Sequence, residues 1–148
     1  MVLEKDFKEF LELLNRNAVK YLLIDGYAVV AHGYSRYTKD MDIWVEMSLE
    51  NATRIVKTLE DFGMGSLGLT EQDFLEPGTF VQIGYPPVRI DILNKVAGLD
   101  FEAAYASRKE HTIDGVRVWL IGLDDLRKNK LASGRTQDLL DYEKLGET

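Results

Sequence analysis

The chain has 148 residues, and its 25 acidic against 18 basic side chains give a formal charge of −7. That balance argues against extended contact with a nucleic-acid backbone, whose affinity comes from Lys and Arg neutralising phosphates, but it leaves room for a single nucleotide or an RNA end. A hydrophobic share of 45%, a charged share of 29% and no cysteine describe a globular chain without disulfides or thiolate metal sites.

A chain of this length buries roughly 68–70% of its unfolded surface, so one domain over residues 1–148 is expected. The first ten residues include Glu4, Lys5, Asp6, Lys8 and Glu9, which is unlike the apolar core of a signal peptide. No stretch reaches the ~20 apolar residues of a membrane span. A cytoplasmic setting without membrane contact is the expectation.

Leu3, Phe7, Phe10, Leu11 and Leu14 recur at helical spacing with charged residues between them, so the first element is predicted to be an amphipathic helix. The continuous apolar run Tyr21-Leu22-Leu23-Ile24 follows and ends at Asp25-Gly26, as a strand buried on both faces would. Tyr27 to His32 reads as a short helix closed by Gly33. Gly26 is then either a simple tight turn or a place where backbone N–H groups meet a phosphate. His32, near the helix end, is read as a structural hydrogen-bonding residue.

In the next strand Met41, Ile43 and Val45 form an apolar row, which puts Asp40, Asp42 and Trp44 on the other face. Residues i and i+2 of a strand lie roughly 6.6 Å apart at Cα, so both carboxylates can converge on one hard cation such as Mg²⁺ or Mn²⁺. The alternative is an ordinary polar strand face. Ser48 is placed to cap a helix carrying Ala52, Ile55, Val56, Leu59 and Phe62 to Gly63. Residues 63–78 read as loop, with one helical turn around Glu71 to Phe74.

Thr79–Gly84 and Val88–Leu93 are predicted to pair as a hairpin across Tyr85-Pro86-Pro87. Asp91 shares a strand face with Arg89, so it either pairs with Arg89 or serves chemistry. Weak helical character over 100–109 precedes His111-Thr112-Ile113, Asp114-Gly115 and Val116–Ile121, a hairpin around a two-residue turn. Leu123 to Leu145 is helical with a break at Ser133-Gly134, and Leu123, Leu126, Leu131, Leu139, Leu140 and Leu145 are expected as its apolar anchors. Arg135 and Asp138 stand three apart there and can pair on the helix surface.

Gly26 followed by an aromatic residue and Ala28, then His32-Gly33, Arg36, Thr38 and Asp40-Met41-Asp42, resembles the signature of the DNA polymerase beta-like nucleotidyltransferase superfamily. Within it, the similarity is greatest to small bacterial proteins related to the AbiEii abortive-infection toxins, whose C-terminal motif resembles Asp125-Leu126 through Lys130, Arg135 and Asp138 to Asp141. Those proteins usually carry two glycines in the turn, and here the first position is Asp25.

The resemblance implies an α/β (α+β) fold, a mixed sheet flanked by helices. It also implies transfer of a nucleoside monophosphate from an NTP to an acceptor hydroxyl on RNA or protein. Asp40 and Asp42 would bridge two Mg²⁺ or Mn²⁺ ions, with Asp91 as the third acid on the acceptor side. The backbone at Gly26 and Tyr27, with Lys130, would hold the triphosphate, while Arg36 contacts phosphate or braces an aspartate and Asp138 supports the nucleotide site. A toxin–antitoxin role would add an antitoxin partner, and the short chain makes self-association a further expectation. The alternative is a nucleotide-binding or regulatory protein of the same fold without turnover, suggested by Asp25.

Overall fold

The computed structural model describes residues 2–34, 38–85 and 87–146. Helix α1 (Lys5–Arg16) leads into strand β1 (Tyr21–Ile24), helix α2 (Asp25–Ala31) and strand β2 (Met41–Val45). Helix α3 (Leu49–Asp61), a 3-10 turn (Gly65–Leu67) and helix α4 (Glu71–Leu75) precede the hairpin of β3 (Phe80–Tyr85) and β4 (Val88–Leu93). Helix α5 (Phe101–Ala106), the hairpin of β5 (Lys109–Ile113) and β6 (Val116–Leu120), and helices α6 (Leu123–Ser133) and α7 (Thr136–Leu145) complete the order.

The strands form one mixed sheet in the order β3-β4-β2-β1-β6-β5. β1 runs antiparallel to β2 and parallel to β6, and β2 runs parallel to β4. The central strands are therefore covered on both faces: all of β1 is buried, as its unbroken apolar run requires. Phe7, Phe10, Leu11 and Leu14 of α1 are almost fully buried. Phe10 packs edge-on against Phe62, and Phe7 against Tyr27. On the opposite side of β2, Trp44 is buried against Phe101, with ring centroids 5.1 Å apart. The core thus fixes β2 from both sides and leaves its N-terminal end free for polar residues.

Local chemistry explains the boundaries. The Ser48 side chain accepts from the Asn51 N–H at the start of α3. Asp114 and Gly115 both have positive φ, 50° and 80°, as a two-residue type I′ turn demands. His32 Nε2 lies 2.8 Å from the Ile121 carbonyl, tying the end of α2 to the segment after β6.

Two expectations are corrected. Leu131, Leu139 and Leu140 are 53%, 42% and 55% exposed, so they do not anchor the C-terminal helices. The helical hairpin instead turns a polar stripe inward, burying Asn129, Lys130, Asp138 and Asp141. The physical reason is that Lys130 meets carboxylates on both sides, and the two short helices orient around that contact once Gly134 (φ 68°) breaks the chain direction. Gly26 was expected to make the turn after β1. The left-handed residue there is Asp25 (φ 59°), and Gly26 is already inside α2. Asp is among the few non-glycine residues that tolerate this region.

Candidate active site

Parallel pairing of β2 with β4 sets Asp42 directly opposite Asp91. The two strands carry their acids on the same face, and the carboxyl groups share a hydrogen bond. Burial pushes Asp42 up to about 8, and the Asp25, Asp91 and Asp40 carboxylates push in the same direction. Burial also raises Asp91, with the Arg89 guanidinium and the hydrogen bonds from Asp42 and Gln82 pulling against it.

Asp40 stands one residue before β2, at the mouth of the same face. Its Oδ2 accepts from Arg89 Nη2, and Arg89 Nε lies 3.4 Å from Asp91 Oδ1. Arg89 reaches both acids because it is two residues before Asp91 on β4, opposite the end of β2 where Asp40 emerges. The pairing of Arg89 with Asp91, one of the two alternatives the sequence left open, is present as an ion pair, and a shorter one to Asp40 joins it.

These groups open into a cleft of about 560 Å³. Asp25, Asp40, Asp42 and Asp91 supply its carboxylates, and Lys39, Arg89 and Arg135 its cations. Phe80, Gln82 and Leu93 form the wall toward the edge of the sheet, and Phe80 is 55% exposed there. Phe80 and Gln82 were not singled out from the sequence. Their signal is the register of the hairpin, which sets Phe80 opposite Leu93 and Gln82 opposite Asp91.

Lys130, fully buried, does not line this cleft. Its ammonium donates to Asp25 Oδ1 and to Asp138 Oδ1 at 3.2 Å, with Asp141 Oδ2 3.7 Å away. Asp138 also accepts from Ser133 Oγ and Arg135 Nε, each at 2.6 Å. Burial alone would raise the Asp138 carboxyl, but the Ser133 hydroxyl, Arg135 and Lys130 together hold it below its ordinary range. The structure thus brings Asp40, Asp42 and Asp91 together in the cleft and joins Lys130 and Asp138 in a neighbouring cluster, with Asp25 belonging to both. Gly26 and Tyr27 are buried in the first turn of α2, next to Asp25 but not on the cleft wall. Arg36 lies outside the described residues.

Among the described residues no three acids or histidines stand as a finished cation cage. The donor set nevertheless suits a hard divalent ion. Asp40 Oδ1 and Asp91 Oδ1 are buried without a hydrogen-bond partner, an unusual and costly state for carboxylate oxygens. All four acids on the wall are hard oxygen donors.

No protein-family profile matches the chain, and no curated protein sequence matches it. Solved structures do. TM1012 of Thermotoga maritima, provisionally designated a nucleotidyltransferase, aligns over 93% of this chain and 88% of its own, with a TM-score of 0.62 and 12% identity. The antibiotic-resistance factor ANT(2'')-Ia aligns over 95% and 80%, with a TM-score of 0.61 and 14% identity. The lincosamide antibiotic adenylyltransferase LnuA, in a lincomycin-bound structure, aligns over 97% and 96%, with a TM-score of 0.55 and 16% identity. At these identities the likeness is one of fold: the chain has the nucleotidyltransferase fold, a mixed sheet flanked by helices.

Proposed function

We propose that residues 1–148 are a single nucleotidyltransferase domain that moves a nucleoside monophosphate from an NTP to an acceptor hydroxyl. The observation that carries this reading is the opposition of Asp42 and Asp91 on parallel strands, with Asp40 beside them, in a cleft of a chain with this fold. In the reaction the acceptor oxygen bonds to the α-phosphorus, the bond from that phosphorus to the β-phosphate bridge breaks, and pyrophosphate leaves.

Asp40, Asp42 and Asp91 would hold divalent ions, Mg²⁺ or Mn²⁺, at their carboxylate oxygens. When bound, such ions act as Lewis acids that neutralise charge growing on the entering and leaving oxygens. The chain's own residues do the rest. Asp91, buried and already hydrogen-bonded to Asp42 and Gln82, orients the acceptor hydroxyl and takes its proton. Arg135 and Lys39 attract the polyphosphate from the cleft wall. The amides of Gly26 and Tyr27, at the start of α2 beside Asp25, are assigned to phosphate binding together with Arg36. Lys130 and Asp138 fix Asp25 and Arg135 against that turn.

The acceptor is taken to be an RNA end or a protein, and the AbiEii-like resemblance supports a toxin–antitoxin setting in the cytoplasm with an antitoxin or a second copy as partner. The test is incubation with labelled NTPs, Mg²⁺ and candidate acceptors, comparing wild type with Asp42→Ala. The reading expects acceptor labelling and pyrophosphate release that the substitution abolishes, and transfer that survives it would refute the assignment.

A second reading, nucleotide binding without turnover, is favoured by one observation. Asp25 occupies the left-handed position after β1 and adds a further carboxylate to the cleft. It expects calorimetric NTP binding with no pyrophosphate from any acceptor.

A further inference from the structure

Arg89 is placed where a cation would be needed. Its guanidinium spans from Asp40, through the Nη2 to Oδ2 hydrogen bond, to Asp91, where Nε and Oδ1 face each other at 3.4 Å. The second contact is an ion pair without hydrogen-bond geometry: Arg89 Nε and Asp91 Oδ1 are both buried and lack a hydrogen-bond partner, as does Asp40 Oδ1. A guanidinium chosen to satisfy two carboxylates would saturate them bidentately. Here it offsets one of the pair's two charges while leaving one oxygen of each acid without a donor, and its side chain retains 30% exposure.

We propose that Arg89 is a resident competitor for the cation position, bridging Asp40 and Asp91 until a divalent ion takes those oxygens and then turning to the polyphosphate in the same cleft. The inference rests on the nucleotidyl-transfer reading and adds a role to it. A monovalent guanidinium cannot hold Asp40 and Asp91 against a divalent ion that binds both, because twice the charge is brought to the same oxygens. Once displaced, Arg89 remains on a cleft wall that also carries Lys39 and Arg135, where phosphate oxygens offer it the two-point contact that Asp91 does not. Release of Arg89 by the ion would therefore prepare the cleft for the nucleotide. Arg89 is in this sense a positioning residue, and its two jobs carry opposite signs.

That opposition is the test. Mn²⁺ binding to the full chain, with no nucleotide present, is followed by electron paramagnetic resonance for wild type, R89Q and D42N. A non-hydrolysable NTP is then titrated by calorimetry at saturating Mg²⁺. R89Q is expected to bind Mn²⁺ about tenfold more tightly than wild type, since one competing charge is gone, and the nucleotide about tenfold more weakly. A merely structural Arg89 would move both affinities in the same direction or neither, and that result would overturn the proposal. If R89Q matches wild type in Mn²⁺ affinity while D42N loses the ion, Arg89 is no competitor although the transfer reading stands. If Mn²⁺ binds no variant, both fall together.

An observation on the unmodified protein keeps the proposal open to refutation should R89Q misfold. The Arg89 Nε–H resonance of arginine-labelled wild type is expected to move and to exchange faster with water on adding Mg²⁺. An unchanged resonance at saturating Mg²⁺ would overturn the displacement.

Discussion

Two clusters of aspartates, half-buried to buried, sit within one cleft's reach of each other, and they are built to opposite rules. Around Lys130, the acids Asp25, Asp138 and Asp141 surround a fully buried ammonium, and Asp138 gains the Ser133 hydroxyl and Arg135 besides. On β2 and β4, Asp42 and Asp91 face each other with Asp40 close by, and among the described residues the ion pairs made to this group are those of Arg89 with Asp40 and Asp91. The first cluster holds its Asp138 proton affinity down, and the second pushes Asp42 and Asp91 up. Carboxylates gathered round a buried ammonium hold a structure together, whereas carboxylates gathered round one another raise each other's proton affinity.

Removing the ammonium at the centre of the first cluster should have the largest effect. Lys130→Met leaves Asp25, Asp138 and Asp141 buried around an apolar group, and a loss of about 3–5 kcal/mol is expected in urea unfolding. The contrast breaks if Lys130→Met unfolds at the wild-type midpoint.

The opposite sign is expected on the strands. Asp42→Asn removes a repelling charge yet keeps a side chain that hydrogen-bonds Asp91, so with no divalent ion added at pH 8 the variant should be more stable by about 2 kcal/mol. Under the proposed function the same variant should lose nucleotidyl transfer. Equal or lower stability would place Asp42 with the structural aspartates around Lys130.

The pH dependence sharpens this further. Asp42 titrates at about 8 in the folded chain against 3.8 when unperturbed, so between those values the folded state holds a proton that the unfolded state has lost. Its contribution to stability is present in full below pH ~4 and is lost as pH rises through about 8. Asp91, also raised, adds to the same trend. Asp138 acts the other way, but only as pH falls below the ordinary carboxylate range. The thermal midpoint measured in chelator should therefore decline from pH 5 to pH 8, and Asp42→Asn should flatten that slope. A wild-type midpoint that rises over this interval would contradict the assignment.

The smallest effect is expected on the outward face of the C-terminal helices. Leu140 is 55% exposed, and Leu140→Lys should change stability by no more than about 0.5 kcal/mol. A larger loss would mean that the leucine face is covered in solution.

Much of this arrangement is legible in the chain, and the part that is not has a common cause. Alternation in Met41–Val45 separates the apolar row from Asp42, because a strand's period is local information. The β5–β6 turn is equally local, resting on Asp114-Gly115. The opposition of Asp42 and Asp91 depends on parallel register between strands far apart in sequence, and the spacing of neither strand encodes it. Strand alternation singled out Asp91 as an acid in need of a partner, and only the resemblance to a family joined it to Asp40 and Asp42. Lys130 misleads in a different way. The resemblance assigns it to the triphosphate and its neighbours Asp124, Asp125 and Lys128 suggest helix-surface pairing, while Leu131, Leu139 and Leu140 read as the buried face; it is instead buried away from the cleft wall. The inversion follows from Asp25, which lies 105 positions away and draws Lys130 inward. Burial of polar helix faces is settled by such distant partners, and periodicity within the helix is silent about them.

The central claim is that the Asp42–Asp91 opposition is a nucleotide-and-cation site. Its most direct measurement is calorimetric titration of a non-hydrolysable NTP into wild type and Asp42→Asn at saturating Mg²⁺. The account expects Mg²⁺-dependent binding to wild type and at least about tenfold weaker binding to the variant. Equal affinity in the two proteins, or wild-type binding indifferent to Mg²⁺, would contradict it.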